Sequence, residues 1–390
     1  MPDFTALAVS ESLRLALTAQ GITEPTPVQA ATLPLAREGR SLLVQSQTGT
    51  GKTLAYLLPI LARLDPASKD VQAMIVAPTH ELCMQIVEQV RSLIAGSELR
   101  VLPLIGGTAM ARQIDRLKDK PHLIVGSAGR LLELATLRKL KLHAVQTVVL
   151  DEVDRLLEPK SQPELESLLK LTPKTRQLLA VSATLGTAVV AFAAQWSTDP
   201  QVVRIGRADR PAETLTHVVM PGDPRDKVDT LRRLVRTLEP QAAMIFVHDS
   251  KRMEELLDKL NFKGLTVAAL HSGEKKLERA EVLRAFRSGK VQLLISTDLA
   301  ARGLDLPNVS LVINFDLPVD ANAYLHRAGR TGRAGQQGLV VSLASSKDLF
   351  VVEKFAKALG FVLTEAGLYK GELMQINPSP AKPEPKPTAG

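Results

Sequence analysis

At 390 residues, with 45% apolar side chains, the chain is long enough for two domains of ordinary size, each with its own core. Its 49 Lys and Arg against 41 Asp and Glu leave a formal charge of +8, which favours an anionic partner without naming one. One cysteine, Cys83, excludes an internal disulfide framework and a cysteine-rich zinc site, and fits a reducing compartment.

The N-terminus, MPDFTALAVSESLRLAL, has no basic stretch ahead of an apolar core, so no secretory signal is read and a cytoplasmic chain is expected. Short apolar runs then recur, each closed by a polar or glycine turn and followed by a helical pattern. They are SLLVQ (41–45), AMIVAP (73–78), HLIVGS (122–127), TVVLDE (147–152) and QLLAVSA (177–183). Residues 177–198 carry no charge and are long enough to span a bilayer, but Ser182, Thr184, Gly186, Thr187 and Gln195 interrupt them. A buried strand, a turn at Gly186 and a helix are expected there instead, with no membrane contact.

After residue 212 the rhythm restarts with AAMIFVHDS (242–250), LTVAALHSG (265–273), VQLLISTD (291–298), VSLVINFD (309–316) and GLVVSLAS (338–345). Continuous apolar strands alternating with helices point to parallel sheets covered on both faces, hence an α/β fold in two tandem domains. The expected boundaries are a first domain over 1–205, a linker over 206–213, a second domain over 214–370 and a disordered basic, Pro-rich tail over 371–390.

In open parallel sheets ligands bind beyond the carboxyl ends of the strands, so the informative residues follow each apolar run. After SLLVQ comes SQTGTGKT (46–53), opening a helix. Ser46, Thr48, Gly49, Thr50 and Gly51 form the turn whose N–H groups can gather one oxyanion, Lys52 can reach the outer phosphates, and the Thr53 hydroxyl can ligate Mg²⁺. The strict pattern has Gly at 46; the strand before and helix after restore the match. TVVLDE ends in carboxylates. Asp151 suits a Mg²⁺ held through water, Glu152 a base toward the attacking water, and Asp154 is spare for this chemistry. An acidic cluster after a strand is by itself more often a helix cap; together with a phosphate loop it reads as a site for ATP·Mg²⁺.

YLHRAGRTGRAG (324–335) carries Arg327, Arg330 and Arg333 at three-residue spacing, where guanidinium groups repel unless an anion gathers them. Arg330 and Arg333 are expected to meet the γ-phosphate of a nucleotide held by the first domain, so that ATP bridges the two.

The ordered set of motifs resembles the DEAD-box ATP-dependent RNA helicases of superfamily 2, over about residues 4–345. Phe4 with GITEPTPVQ (21–29) is similar to the adenine-reading Q motif, SQTGTGKT to the phosphate loop, PTHEL (78–82) to PTREL, Gly106-Gly107 to the glycine doublet, and SAGR (127–130) to TPGR. DEVD (151–154) stands for the name-giving tetrad and SAT (182–184) for the coupling motif. FVHDSK (246–251), LHSGEKKLER (270–279), STDLAARGLD (296–305) and HRAGRTGR (326–333) complete the second domain. The resemblance implies two RecA-like domains, each a parallel sheet flanked by helices, in a monomer. It implies that Gln29, with Thr26, bonds the adenine edge, that Phe4 stacks on the ring, and that Asp305 contacts the ribose. It further implies coupling between domains through Asp154, Ser182, Thr184, Arg302 and His326. RNA contacts are implied at Pro78, Thr79, Glu81, Gly107, Thr108, Ser127, Gly129, Arg130, His271, Ser272, Gly273, Arg279, Thr297 and Asp298.

The departures cluster at RNA-facing motifs: His80 for Arg, Ser127-Ala128 for Thr-Pro, and Ser272, Glu274 and Lys276 in the LHSGEKKLER segment. Val153 replaces Ala in the tetrad without changing charge. Aromatic residues are only 3% of the chain, so a base-stacking platform is not expected; strand-end turns suit sequence-tolerant contact with the RNA backbone. An ATP-gated RNA clamp with little unwinding is the alternative, a DNA translocase is a third reading, and a phosphate-loop metabolic kinase leaves the second domain's arginines unexplained.

Overall fold

The computed structural model describes residues 2–46, 49–205, 210–271, 276–301, 306, 309–332 and 336–376. The chain divides into two compact units, one ahead of Arg210 and one from it onward.

The first unit is built on seven strands: β1 (Leu42–Gln45), β2 (Ala73–Val76), β3 (Val101–Leu104), β4 (Leu123–Gly126), β5 (Thr147–Asp151), β6 (Gln177–Ser182) and β7 (Gln201–Arg204). They lie in the order β3-β4-β2-β5-β6-β1-β7, and every pairing is parallel. The pleat sends alternate residues to opposite faces. Leu42, Val44 and Ile75 therefore join one apolar cluster, while Leu43, Met74 and Val76 join the other. Helices close both faces. In the helix His80–Leu93, Cys83, Ile86, Val87 and Val90 are buried at the spacing of one helical stripe. Each fully buried aliphatic side chain contributes roughly 1.5–3 kcal/mol relative to exposure.

The second unit has eight strands among the described residues: β8 (Leu215–Pro221), β9 (Ala243–Phe246), β10 (Val267–Leu270), β11 (Leu293–Ser296), β12 (Leu311–Asn314), β13 (Gly338–Ala344), β14 (Leu363–Tyr369) and β15 (Glu372–Gln375). Their order is β10-β11-β9-β12-β13-β8-β14-β15, parallel except for the hairpin β14–β15. Ile245, Ile295, Ile313 and Val341 meet in its core.

The ten apolar runs hold β1, β2, β4, β5, β6 and β9 to β13, so the expected fold class stands. The charge-free stretch is β6, then Gly186, then the helix Thr187–Trp196, and among the described residues no helix is long and apolar enough to cross a membrane. Five strands went unread. β3 contains Pro103 and is a sheet edge, where a missing N–H is tolerated. β7 is four residues at the other edge, and β8 interrupts its apolar run with His217. The hairpin turns at Lys370 and Gly371, both at positive φ (47° and 82°). The segment expected as a tail over 371–390 therefore begins with strand β15, and residues 377–390 lie outside the described residues, as do 206–209 of the expected linker.

Candidate active site

Between β1 and the helix Lys52–Leu61 lies the phosphate loop, of which Thr48 falls outside the described residues. Gly49 (φ 79°) and Gly51 (φ 92°) take left-handed backbone that side chains resist. Space at Gly51 is short as well: a Cβ there would lie 2.5 Å from Gln29 Nε2 and 3.1 Å from Thr26 Oγ1. Gln29 is 1% exposed. Its Oε1 accepts the Thr26 N–H at 2.9 Å and its Nε2 donates to the Gly51 carbonyl at 3.1 Å, tying TPVQ to the loop. Ser46 is fully buried. Its hydroxyl pairs with Thr50 Oγ1 at 2.7 Å and its N–H donates to the Ser182 carbonyl at 3.2 Å, so the departure from the usual small residue adds a bond inside the loop. Lys52 Nζ donates to the Ser46 carbonyl at 2.5 Å. Phe4 is buried in the same apolar cluster as Leu7, Leu17 and Leu33.

β5 lies two places from β1, with β6 between them, so Asp151, Ser182 and the phosphate loop share one end of the sheet. Asp151 is buried, with both oxygens engaged. Oδ2 accepts the Tyr56 hydroxyl at 2.8 Å and Oδ1 accepts the Glu152 N–H at 2.9 Å. Burial pushes its carboxyl above the usual carboxylate range, while the Tyr56 bond and the Lys52 ammonium pull it back. Glu152 sits at φ 50°, ψ 52°, a left-handed conformation that costs a side-chain-bearing residue roughly 1–2 kcal/mol. Such strain concentrates at functional sites, where surrounding structure holds it. Val153 is fully buried in the core, so its extra methyl groups are accommodated. The spare carboxylate, Asp154, accepts the Thr184 hydroxyl at 3.3 Å, and the Thr184 N–H donates to Ser182 Oγ at 3.1 Å.

Among the described residues no group of three or more His, Cys, Asp or Glu side chains is arranged to hold a metal. Mg²⁺ with a nucleotide does not require one: phosphates, waters, one or two carboxylates and a hydroxyl suffice. Asp151 and Thr53 fit that donor set: Thr53 opens the helix Lys52–Leu61, and Tyr56, one turn further along that helix, donates its hydroxyl to Asp151 Oδ2 at 2.8 Å.

The expected RNA turns of the first unit lie at strand ends and helix starts. Pro78 and Thr79 follow β2, and Thr79 caps the helix that carries Glu81, accepting the Leu82 N–H at 3.2 Å. Gly107 has φ 69°. Ser127 precedes the helix Ala128–Thr136. Gly129 is packed so closely that a Cβ would lie 2.8 Å from Glu164 Oε2. Arg130 joins two of these turns, donating to the Thr108 carbonyl at 3.1 Å while its Nε meets Glu133 at 3.0 Å.

In the second unit Arg279 donates to the His271 carbonyl at 3.2 Å and the Ala300 carbonyl at 2.7 Å, linking the turn after β10 to the helix after β11. Thr297 Oγ1 caps that helix by accepting the Ala300 N–H at 3.3 Å. Arg330 is buried at the end of the helix Ala321–Ala328, which also carries His326. Ser272, Gly273, Arg302, Asp305 and Arg333 lie outside the described residues.

Two residues were missed. Tyr56 is not among the residues expected at the site; its place one turn after Thr53 was the available signal. Arg327 read as one of three guanidiniums awaiting an external anion, but its anion is internal. It makes two 2.7 Å bonds to the Asp298 carboxylate, donates to Asn314 Oδ1 at 3.1 Å and to the Asp316 carbonyl at 2.6 Å, and lies 5.0 Å from the Phe246 ring centre. The Asp298 carboxylate, expected to face RNA, is thus held by this arginine.

Comparison with known proteins agrees with this arrangement. Residues 26–192 match the DEAD/DEAH box helicase family and residues 226–335 the helicase conserved C-terminal domain. The chain is 40% identical over 366 residues to the DEAD-box ATP-dependent RNA helicase CshC of Bacillus cereus, covering 94% of each. It is 42% identical over 355 residues to the probable ATP-dependent RNA helicase YfmL of Bacillus subtilis, covering 91% of this chain and 94% of that one. Among solved structures, S. cerevisiae Dbp5 bound to RNA and ADP BeF3 superposes with a TM-score of 0.85 at 29% identity, covering 94% of this chain and 95% of the other. Two helicase matches in tandem and near-full-length similarity at this level place the chain in the DEAD-box helicase family.

Proposed function

We propose that the chain is an ATP-dependent RNA helicase, hydrolysing ATP in response to RNA and using the cycle to open short duplexes or remodel RNA–protein complexes. The observation that carries the reading is the meeting, at one end of the first sheet, of a glycine phosphate loop, its lysine and a buried, doubly hydrogen-bonded Asp151. The loop's N–H groups and Lys52 bind and orient the phosphates. Asp151 and the Thr53 hydroxyl would hold Mg²⁺, which when bound neutralises charge on the β- and γ-phosphates. Glu152, held in strained backbone beside Asp151, accepts a proton from the attacking water.

Gln29 with Thr26 meets the adenine edge, with Phe4 beside the ring, and Asp305 the ribose. Arg330 and Arg333 stabilise charge on the γ-phosphate in the closed, ATP-bound form; an arginine so placed accelerates hydrolysis roughly 10³–10⁵-fold. The Thr184–Asp154 bond ties the coupling motif to the acidic tetrad that follows β5 and supports a role in transmitting hydrolysis to the RNA face. RNA is contacted mainly through its backbone, at the turns around Thr79, Gly107, Ser127, His271 and Thr297, with low sequence specificity and salt-sensitive affinity. The relatives named as RNA helicases and the Dbp5 structure with RNA and ADP BeF3 support RNA as the partner.

The test is a pair of substitutions. Lys52→Ala is expected to abolish ATP turnover. Glu152→Gln is expected to keep nucleotide and RNA binding and to block hydrolysis. Turnover at the wild-type rate by Glu152→Gln would remove Glu152 from its role. ATP hydrolysis without displacement of a short RNA duplex bearing an overhang would contradict the helicase reading in favour of an ATP-gated clamp.

A further inference from the structure

Tyr56 is 1% exposed and is one of three tyrosines in the chain. It lies on the helix Lys52–Leu61 four residues after Lys52 and three after Thr53, so all three side chains share one helical face. Its hydroxyl donates to Asp151 Oδ2 at 2.8 Å, across 95 residues of sequence. The other oxygen of Asp151 is fixed by the Glu152 N–H at 2.9 Å. Two donors in fixed positions remove the rotational freedom of the carboxylate, and its remaining lone pairs then point one way. A core packing role would need only the ring; phenylalanine supplies that.

We propose that Tyr56 is a positioning residue for the metal–nucleotide complex: one rigid helix carries the phosphate-binding lysine, the metal-binding hydroxyl and the donor that aims Asp151. The inference rests on the assignment of Asp151 and Thr53 to Mg²⁺. Groups that orient metal ligands typically contribute 10–100-fold to metal affinity although they never touch the ion. The carboxylate freed by Tyr56→Phe stays buried but can turn away from the phosphates.

The experiment is a Mg²⁺ titration of the full chain with a fluorescent ADP analogue, comparing wild type with Tyr56→Phe, alongside the metal-free affinity in EDTA and the melting temperature. The expected result is a roughly 10–100-fold rise in the half-saturating Mg²⁺ concentration, with metal-free affinity and melting temperature close to wild type. An unchanged Mg²⁺ requirement would overturn the proposal. So would equal losses with and without metal accompanied by a lower melting temperature, since that pattern marks packing alone. Failure of the underlying assignment is distinct: the wild-type chain itself would then bind the nucleotide without regard to Mg²⁺, and the role of Tyr56 would fall with it.

Discussion

Arg327→Ala is expected to destabilise the second unit rather than to act first on ATP. The side chain is 1% exposed and bridges three elements: Asp298 after β11, Asn314 and the Asp316 carbonyl at the end of β12, and its own helix. Breaking a buried ion pair by removing one partner costs about 3–5 kcal/mol because the other charge is stranded. The Asp298 side chain is 34% exposed, so water can recover part of its solvation and the lower end, about 3 kcal/mol, is appropriate. For a unit of this size a loss of 1 kcal/mol lowers the melting temperature by about 2–4 °C, which gives roughly 6–12 °C. Calorimetry of the full chain measures it, the affected transition being the second unit's. Arg327→Lys keeps the charge but loses the planar fork that satisfies Asp298 with two bonds and reaches Asn314, so it should recover only a minor part. A melting temperature within about 1 °C of wild type for Arg327→Ala, or full recovery by Lys, would refute the reasoning.

Gly51→Ala forces a Cβ to 2.5 Å from Gln29 Nε2 at a backbone φ of 92°, so the loop or Gln29 must move; nucleotide affinity, read by fluorescence titration, should fall by roughly 5–30-fold for a strain of about 1–2 kcal/mol. The second unit should also weaken in mild acid. His217 is buried with its Nδ1 2.8 Å from the Tyr324 hydroxyl and its ring 4.1 Å from that of Phe361, and burial lowers its pKa from 6.5 to about 4. The folded ring stays neutral in this window while the unfolded one takes up a proton. Stability is therefore full above pH 6.5 and is lost as pH falls toward 4, by about 1.4 kcal/mol per pH unit and about 3 kcal/mol in all. His217→Phe should flatten the pH dependence of the melting temperature between pH 7 and pH 5; an unaltered slope would contradict this.

The strands that could be read from the sequence were those buried on both faces, such as AMIVAP and VSLVINFD, because nothing but continuous apolar character satisfies that environment. The unread ones are edges or half-exposed pieces. Pro103 in β3 and the mostly half-buried residues of β14 answer to neighbours that lie far along the chain. The same divide runs through the site. Lys52, Asp151 and the glycine turn follow from the rule that parallel sheets place their chemistry at strand ends. Tyr56 and Arg327 do not, since each is defined by a partner 95 or 29 residues away and by its burial, neither of which local spacing encodes. Ser46, a departure from the loop pattern, is accounted for by its bond to Thr50.

The most direct measurement of the central claim, a phosphate loop and acid strand whose ATP turnover answers to RNA, is the steady-state ATPase rate of the full chain with single-stranded RNA, with DNA of the same sequence, and with neither. RNA should raise the rate, DNA should not, and Glu152→Gln should remain inactive in all three conditions. Equal rates with and without RNA, or stimulation by DNA alone, would contradict the account.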